Sequence, residues 1–159
     1  MDRLYRKAGI QFRYPQEWQL SEEGGSSEFS VTVNDDGTSF WSITLLRDRP
    51  SPEHVLDAAV EAFRDDYPEV DVYPTMTEIA HRPAFARDIE FVCLEMLNSA
   101  FLRAFQSTQY TVFVFYQTTD TELDEVAPIF EAISDSVHCD IDDSAPPLLS
   151  PPEDEETLQ

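Results

Sequence analysis

Apolar and polar positions alternate with a period of two through the first third of the chain. Ile10, Phe12 and Tyr14 are separated by Gln11 and Arg13, which predicts a strand with one buried face, closed by Pro15. Trp18 and Leu20 mark a second short extended piece, and Gly24-Gly25-Ser26-Ser27 reads as a turn. Phe29, Val31 and Val33 alternate with Ser30 and Thr32. Asn34-Asp35-Asp36-Gly37-Thr38 then gathers residues that tolerate positive φ, so a hairpin is expected there, with a return strand over 40–46.

The period next changes to that of a helix. Leu56, Ala59, Val60, Phe63 and Tyr67 recur at helical spacing, with Glu53, Asp57, Glu61 and Asp65 on the opposite face. Ser51 is placed to cap this helix, Pro52 fits its first turn, and Pro68 ends it. Strands resume over 71–79 and 85–97. Asn98-Ser99 reads as a tight turn, and a strand over 100–107 returns from it. Residues 110–118 are apolar on both faces, which predicts a central strand covered on both sides. A last helix carries Leu123, Val126, Phe130, Ile133 and Val137 as its buried stripe, with Thr121 and Asp124 in a capping-box relation and Pro128 as an expected kink. Strands and helices in this order, joined mostly by hairpins, predict an α+β fold. The expected form is a layered α/β/α sandwich with a central, mainly antiparallel sheet and two main helices.

Composition sharpens this picture. The chain has 159 residues, enough for one domain with a sizeable core, and 11 of them are Phe. Asp and Glu number 32 against 10 Lys and Arg, for a net charge of −22. Nine of the ten bases are Arg. Such a surface disfavours nucleic acid and anionic membranes as partners, since each phosphate contact needs a local cation. It favours a protein partner, or simple solubility. Seven acids and four prolines fall in 140–159, with no base, so the expectation is an α/β body over 1–139 followed by a disordered acidic tail over 140–159. No apolar run reaches membrane-spanning length and no signal-peptide core follows the N-terminus, which predicts a cytoplasmic protein with Cys93 and Cys139 reduced.

The segment Gly9-Ile10-Gln11-Phe12-Arg13-Tyr14-Pro15-Gln16-Glu17-Trp18, a strand closed by Tyr-Pro-x-x-Trp, resembles the opening of the PsbP-like superfamily. A helix after the first sheet half and a final helix running into Ile133-Ser134-Asp135-Ser136-Val137 repeat that layout, and the resemblance spans about residues 5–138. His81-Arg82-Pro83-Ala84 stands where such domains have a small-residue turn before the long strand. The resemblance implies a binding or assembly module, mostly non-catalytic; Leu46-Arg47-Asp48-Arg49-Pro50 is similar to a stretch in the DcrB-like chaperone branch, which implies as an alternative a secretion chaperone covering an apolar client segment.

Candidate chemistry is sparse. The four glycines form no phosphate-cradling loop, so nucleotide binding by those routes is not expected. His54, His81 and His138 are far apart in sequence, and His138-Cys139-Asp140 puts three ligand types on adjacent, diverging positions; neither metal nor cofactor is expected. The carboxylates Asp65, Asp66, Glu69 and Asp71 lack the spacing of a calcium loop. Cys93 lies in an apolar strand and no nucleophile elbow occurs, which ranks a hydrolytic enzyme last. The binding candidates are Trp18 and Trp41, as surface anchors or as core, and Arg47 and Arg49, a basic island that either receives an acidic motif or pairs with neighbouring carboxylates.

Overall fold

The computed structural model describes residues 2–141. The expected acidic tail, from 142 onward, lies outside the described residues. Strands β1 (Asp2–Lys7) and β2 (Ile10–Pro15) pair antiparallel as a ribbon of their own. Then follow β3 (Gln19–Gly24), β4 (Glu28–Asn34), β5 (Phe40–Leu46), helix α1 (Pro52–Asp66), β6 (Val70–Ile79), β7 (Arg82–Cys93), β8 (Met96–Gln106), β9 (Thr111–Thr119) and helix α2 (Leu123–Asp135). The main sheet is antiparallel throughout, in the order β3-β4-β5-β9-β8-β7-β6. The chain crosses from β5 through α1 to the far edge, and three hairpin steps bring it back so that β9 closes the gap beside β5.

The α+β sandwich follows from where the apolar faces go. On one face Leu56 and Val60 of α1 pack on Ile89, Phe91, Ala100, Leu102 and Ala104. On the other, Val126, Phe130 and Ile133 of α2, together with Ile10, Phe12 and Tyr14 of the ribbon, cover Trp41, Ile43, Val112 and Val114. β9 is the middle strand and is covered on both sides, as its two-faced apolar pattern requires. Ser51 caps α1 through its side chain, which accepts from the His54 N–H at 3.4 Å, and Tyr67 leaves the helix in an extended conformation ahead of Pro68.

Several local expectations are corrected. The hairpin turn joining β7 and β8 is Leu94-Glu95, not Asn98-Ser99. Leu94 and Glu95 take φ of +54° and +65°, while Asn98 pairs with Phe91 and Ser99 with Glu90 inside the ladder. The same geometry serves Ala80-His81 between β6 and β7 and Ala8-Gly9 between β1 and β2. All three are two-residue turns with both central residues at positive φ, in register with the strand twist. Ala84 lies inside β7 and is fully buried. The ribbon strand β1 carries no apolar alternation strong enough to announce it, and it keeps β2 out of the main sheet. Thr121 does not cap α2: Glu122 holds the N-cap position without a side-chain bond, and the Thr121 hydroxyl meets that of Thr119 at 3.0 Å. α2 ends at Asp135, although Val137 beyond it stays fully buried. Pro128 sits inside the helix, where it lacks the N–H that would reach back one turn. No helix among the described residues is long and apolar enough to cross a membrane.

A candidate cation-lined cleft

Four chain segments meet at one end of the sheet: the Ala8-Gly9 turn, the Gly24–Ser27 turn, the exit of β5 at Arg47, and the turn 107–110 between β8 and β9. Gly24 has φ +108°, and a Cβ there would fall on the Glu28 carbonyl oxygen, so only glycine closes this turn. The segments are tied by hydrogen bonds. Tyr110 donates its hydroxyl to the Ala8 carbonyl at 2.9 Å, and the Arg47 N–H donates to Ser27 O at 3.1 Å. The chain beyond α2 is tied in as well, with the Ile141 N–H donating to Gly9 O at 2.9 Å.

Between these segments lies a cleft of about 140 Å³, lined by Phe29, Leu45 and Tyr110 and by three charged residues, the cations Lys7 and Arg47 and the acid Glu28. It widens into a shallow depression toward Thr108, Gln109 and Ile141. Each cation rests on a ring: the Lys7 ammonium is 5.2 Å from the Phe29 centroid, and the Arg47 guanidinium is 5.1 Å from that of Tyr110. Lys7 also faces Glu22 at 3.6 Å. The Tyr5 hydroxyl foremost, with a lesser contribution from Lys7, holds the Glu22 carboxyl below its ordinary range against desolvation, which opposes it. Arg47 has no carboxylate within 4 Å among the described residues, and its side chain is exposed.

The nearby Asp140 is already committed. Arg82 approaches it at 2.6 Å and the Thr108 N–H donates to it at 3.0 Å; burial raises its carboxyl, but these bonds outweigh it and hold the group low. Arg49 is a brace and does not line the cleft. At φ +52° its guanidinium donates to Ser107 O at 3.0 Å, and Gln106 returns a bond to the Arg49 carbonyl at 3.1 Å.

The two tryptophans are core. Trp41 has no accessible surface; it packs on Phe12 with centroids 5.0 Å apart and donates its indole N–H to the Ser134 hydroxyl at 2.9 Å. Truncating a ring so placed costs about 3–5 kcal/mol, so Trp41 acts on stability and cannot touch a partner in the folded chain. Trp18 is 8% exposed and meets Phe130 edge-on at 6.2 Å. Of the four sequence candidates, Arg47 alone lines the cleft. Lys7, Phe29 and Tyr110 were not singled out: Tyr110 opens an apolar run that reads as strand, and Phe29 reads as one member of an alternation.

Elsewhere, Arg103 is 9% exposed and lies beside the stacked rings of Phe101 and Tyr116, 5.7 and 5.6 Å from their centroids, while pairing with Asp88 at 2.6 Å. Burial pushes the Tyr116 phenol up, with Arg103 opposing it. Burial likewise pushes the Cys139 thiol up to about 12, which leaves it protonated at neutral pH. Among the described residues no group of three His, Cys, Asp or Glu is arranged to hold a metal ion.

No family model matches the chain, and no curated protein matches it. Solved structures do. Cyanobacterial PsbP (CyanoP) from Synechocystis sp. PCC 6803 superposes with a TM-score of 0.63 at 14% identity, over 87% of this chain and 92% of that one. LpqN, involved in cell envelope biogenesis of Mycobacterium tuberculosis, gives 0.50 at 12% identity, over 87% and 90%. PA94 of Pseudomonas aeruginosa, a protein of unknown function, gives 0.50 at 15% identity, over 82% and 91%. At these identities the likeness is one of fold: the chain has the PsbP-like architecture that its Tyr-Pro-x-x-Trp opening resembles.

Proposed function

We propose that this chain is a non-catalytic binding module that docks an acidic side chain, or a terminal carboxylate, of a partner protein in the Lys7–Arg47 cleft. The observation that carries the reading is Arg47. In a chain with 32 acids its exposed guanidinium has no carboxylate partner among the described residues, and it lies over the Tyr110 ring, 5.1 Å from the centroid, at the mouth of the cleft. A planar fork fixed in this way is pre-organised for a carboxylate. The cleft of about 140 Å³ takes a side chain, and the depression it opens into is lined by Thr108, Gln109 and Asp140 as well as Ile141, a surface ill suited to an apolar client segment, which is why the reading is a docking module ahead of a client-covering chaperone. The neighbours CyanoP and LpqN support an accessory role by fold analogy. Two cysteines without a disulfide fit a reducing compartment, and we place the protein in the cytoplasm on that ground.

The test is binding of a fluorescent peptide of alternating Asp and Leu, read by anisotropy. Loss of a charge-assisted contact is worth about 1.5–3 kcal/mol, so Arg47→Ala is expected to weaken binding by roughly tenfold or more. Arg47→Lys is expected to restore it only in part, because the ammonium lacks the fork. Equal affinity of parent and Arg47→Ala, or no binding by the parent, removes the reading.

A further inference from the structure

We propose that the tip of the β7–β8 hairpin is a second docking surface, at the far end of the sheet from the cleft, for a partner segment whose apolar side chains are flanked by Lys or Arg. Leu94 at the turn is 95% exposed, and Val92, Met96 and Leu97 beside it are 46%, 39% and 41% exposed. Val92 faces Leu97 across the ladder, so these two share one side of the hairpin, and Cys93–Met96 form the closing pair. Folding explains none of this. Leu94 contributes nothing to the core, and it occupies a φ of +54° where Asn or Gly is preferred. Apolar side chains gathered in water at one projecting point mark an interaction site.

The charges around the tip select the occupant. Glu95 forms half of the turn, and Glu90 lies two residues from Val92 on the same side. Asp71 pairs with Glu90 across β6, and the Asp120 N–H donates to Leu97 O at 2.9 Å, which brings a further acid beside the hairpin. No Lys or Arg occurs between Asp88 and Leu102, nor between Asp65 and His81. An acidic rim about an apolar point repels a second copy of this chain and an anionic membrane, and attracts an apolar segment with basic flanks. The twelve residues of β7 separate this surface from the cleft by roughly 35–40 Å at the rise of a strand, well beyond a Debye length. The two surfaces therefore act independently, and one chain can bridge two partners of opposite charge.

The experiment uses the full chain and two labelled peptides of equal charge, one alternating Leu with Lys and one alternating Ser with Lys. The parent is expected to bind the Leu/Lys peptide more tightly than the Ser/Lys peptide. Leu94→Ser combined with Leu97→Ser should weaken Leu/Lys binding by about tenfold and leave the Ser/Lys peptide unchanged. Glu90→Gln with Glu95→Gln should weaken it too, and flatten its salt dependence. A double Ser variant that binds Leu/Lys as tightly as the parent overturns the proposal. So does concentration-dependent self-association abolished by Leu94→Ser, or parent binding to zwitterionic vesicles, since these assign the tip to a second copy or to a membrane. Unfolding midpoints of the variants show that the fold is kept, because none of the four side chains is part of the core. Arg47→Ala is expected to leave Leu/Lys binding intact, so failure here is separable from failure of the cleft.

Discussion

His138 shows how one residue couples burial to pH. Its backbone bridges Gln11, with bonds of 3.0 and 2.8 Å, and so fastens the end of the domain to the ribbon. Desolvation first, and then His81 with its ring centroid 6.1 Å away, hold the imidazole below its usual value. The folded chain thus binds this proton less readily than the unfolded chain. Stability from this group is present above the ordinary imidazole value and falls as pH drops through it toward the lower folded value. The thermal midpoint is expected to decline between pH 7.5 and 5.5, and His138→Gln to flatten that decline; a slope unchanged in the variant assigns it to other groups. Residue types alone marked His138 only as an unclustered histidine, because its neighbour His81 arrives through a turn nearly sixty positions earlier.

The hairpins set the limit of legibility at the scale of elements. Strands that alternate, such as Phe29–Val33, and stripes at 3.6 spacing, such as Leu56–Phe63, were readable because burial on one face writes its period into the sequence. The turns Ala80-His81 and Leu94-Glu95 were not, because they place ordinary residues where Asn-Gly is favoured, while Asn98-Ser99 carries turn chemistry inside a strand. Left-handed backbone at a residue with a side chain costs about 1–2 kcal/mol. Leu94→Asn with Glu95→Gly is therefore expected to stabilise the protein by roughly 1 kcal/mol in denaturant unfolding while weakening the binding assigned to the tip. Loss of stability in this variant contradicts the turn geometry.

At the scale of the molecule, charge is distributed unevenly along the strands. Lys7, Arg47, Arg49 and Arg82 sit at the cleft end among Glu22, Glu28, Asp48 and Asp140, whereas Asp35, Asp36, Asp65, Asp66, Glu95, Asp120 and Glu122 lie where the strands reverse at the opposite end, with Arg64 as a base beside them. Like charges so concentrated oppose compaction. Added NaCl is expected to raise the unfolding midpoint, by roughly 2–4 °C for each kcal/mol of repulsion screened. A midpoint indifferent to salt between about 0.02 and 0.5 M, several-fold changes in screening length, contradicts that account.

Apart from β1, the order of strands and helices follows from the sequence alone, as do the two-faced burial of β9 and the acidity of the chain, since periodicity and composition are local quantities. The tertiary structure decided what each standout residue does. Trp41 reads equally as anchor or core until α2 is laid over it and Ser134 accepts its N–H. Arg47 becomes a site only when Tyr110, from the turn that leads into β9, lies beneath it. A site is a convergence of distant segments, and the spacing of residues along a chain carries no record of which segments converge.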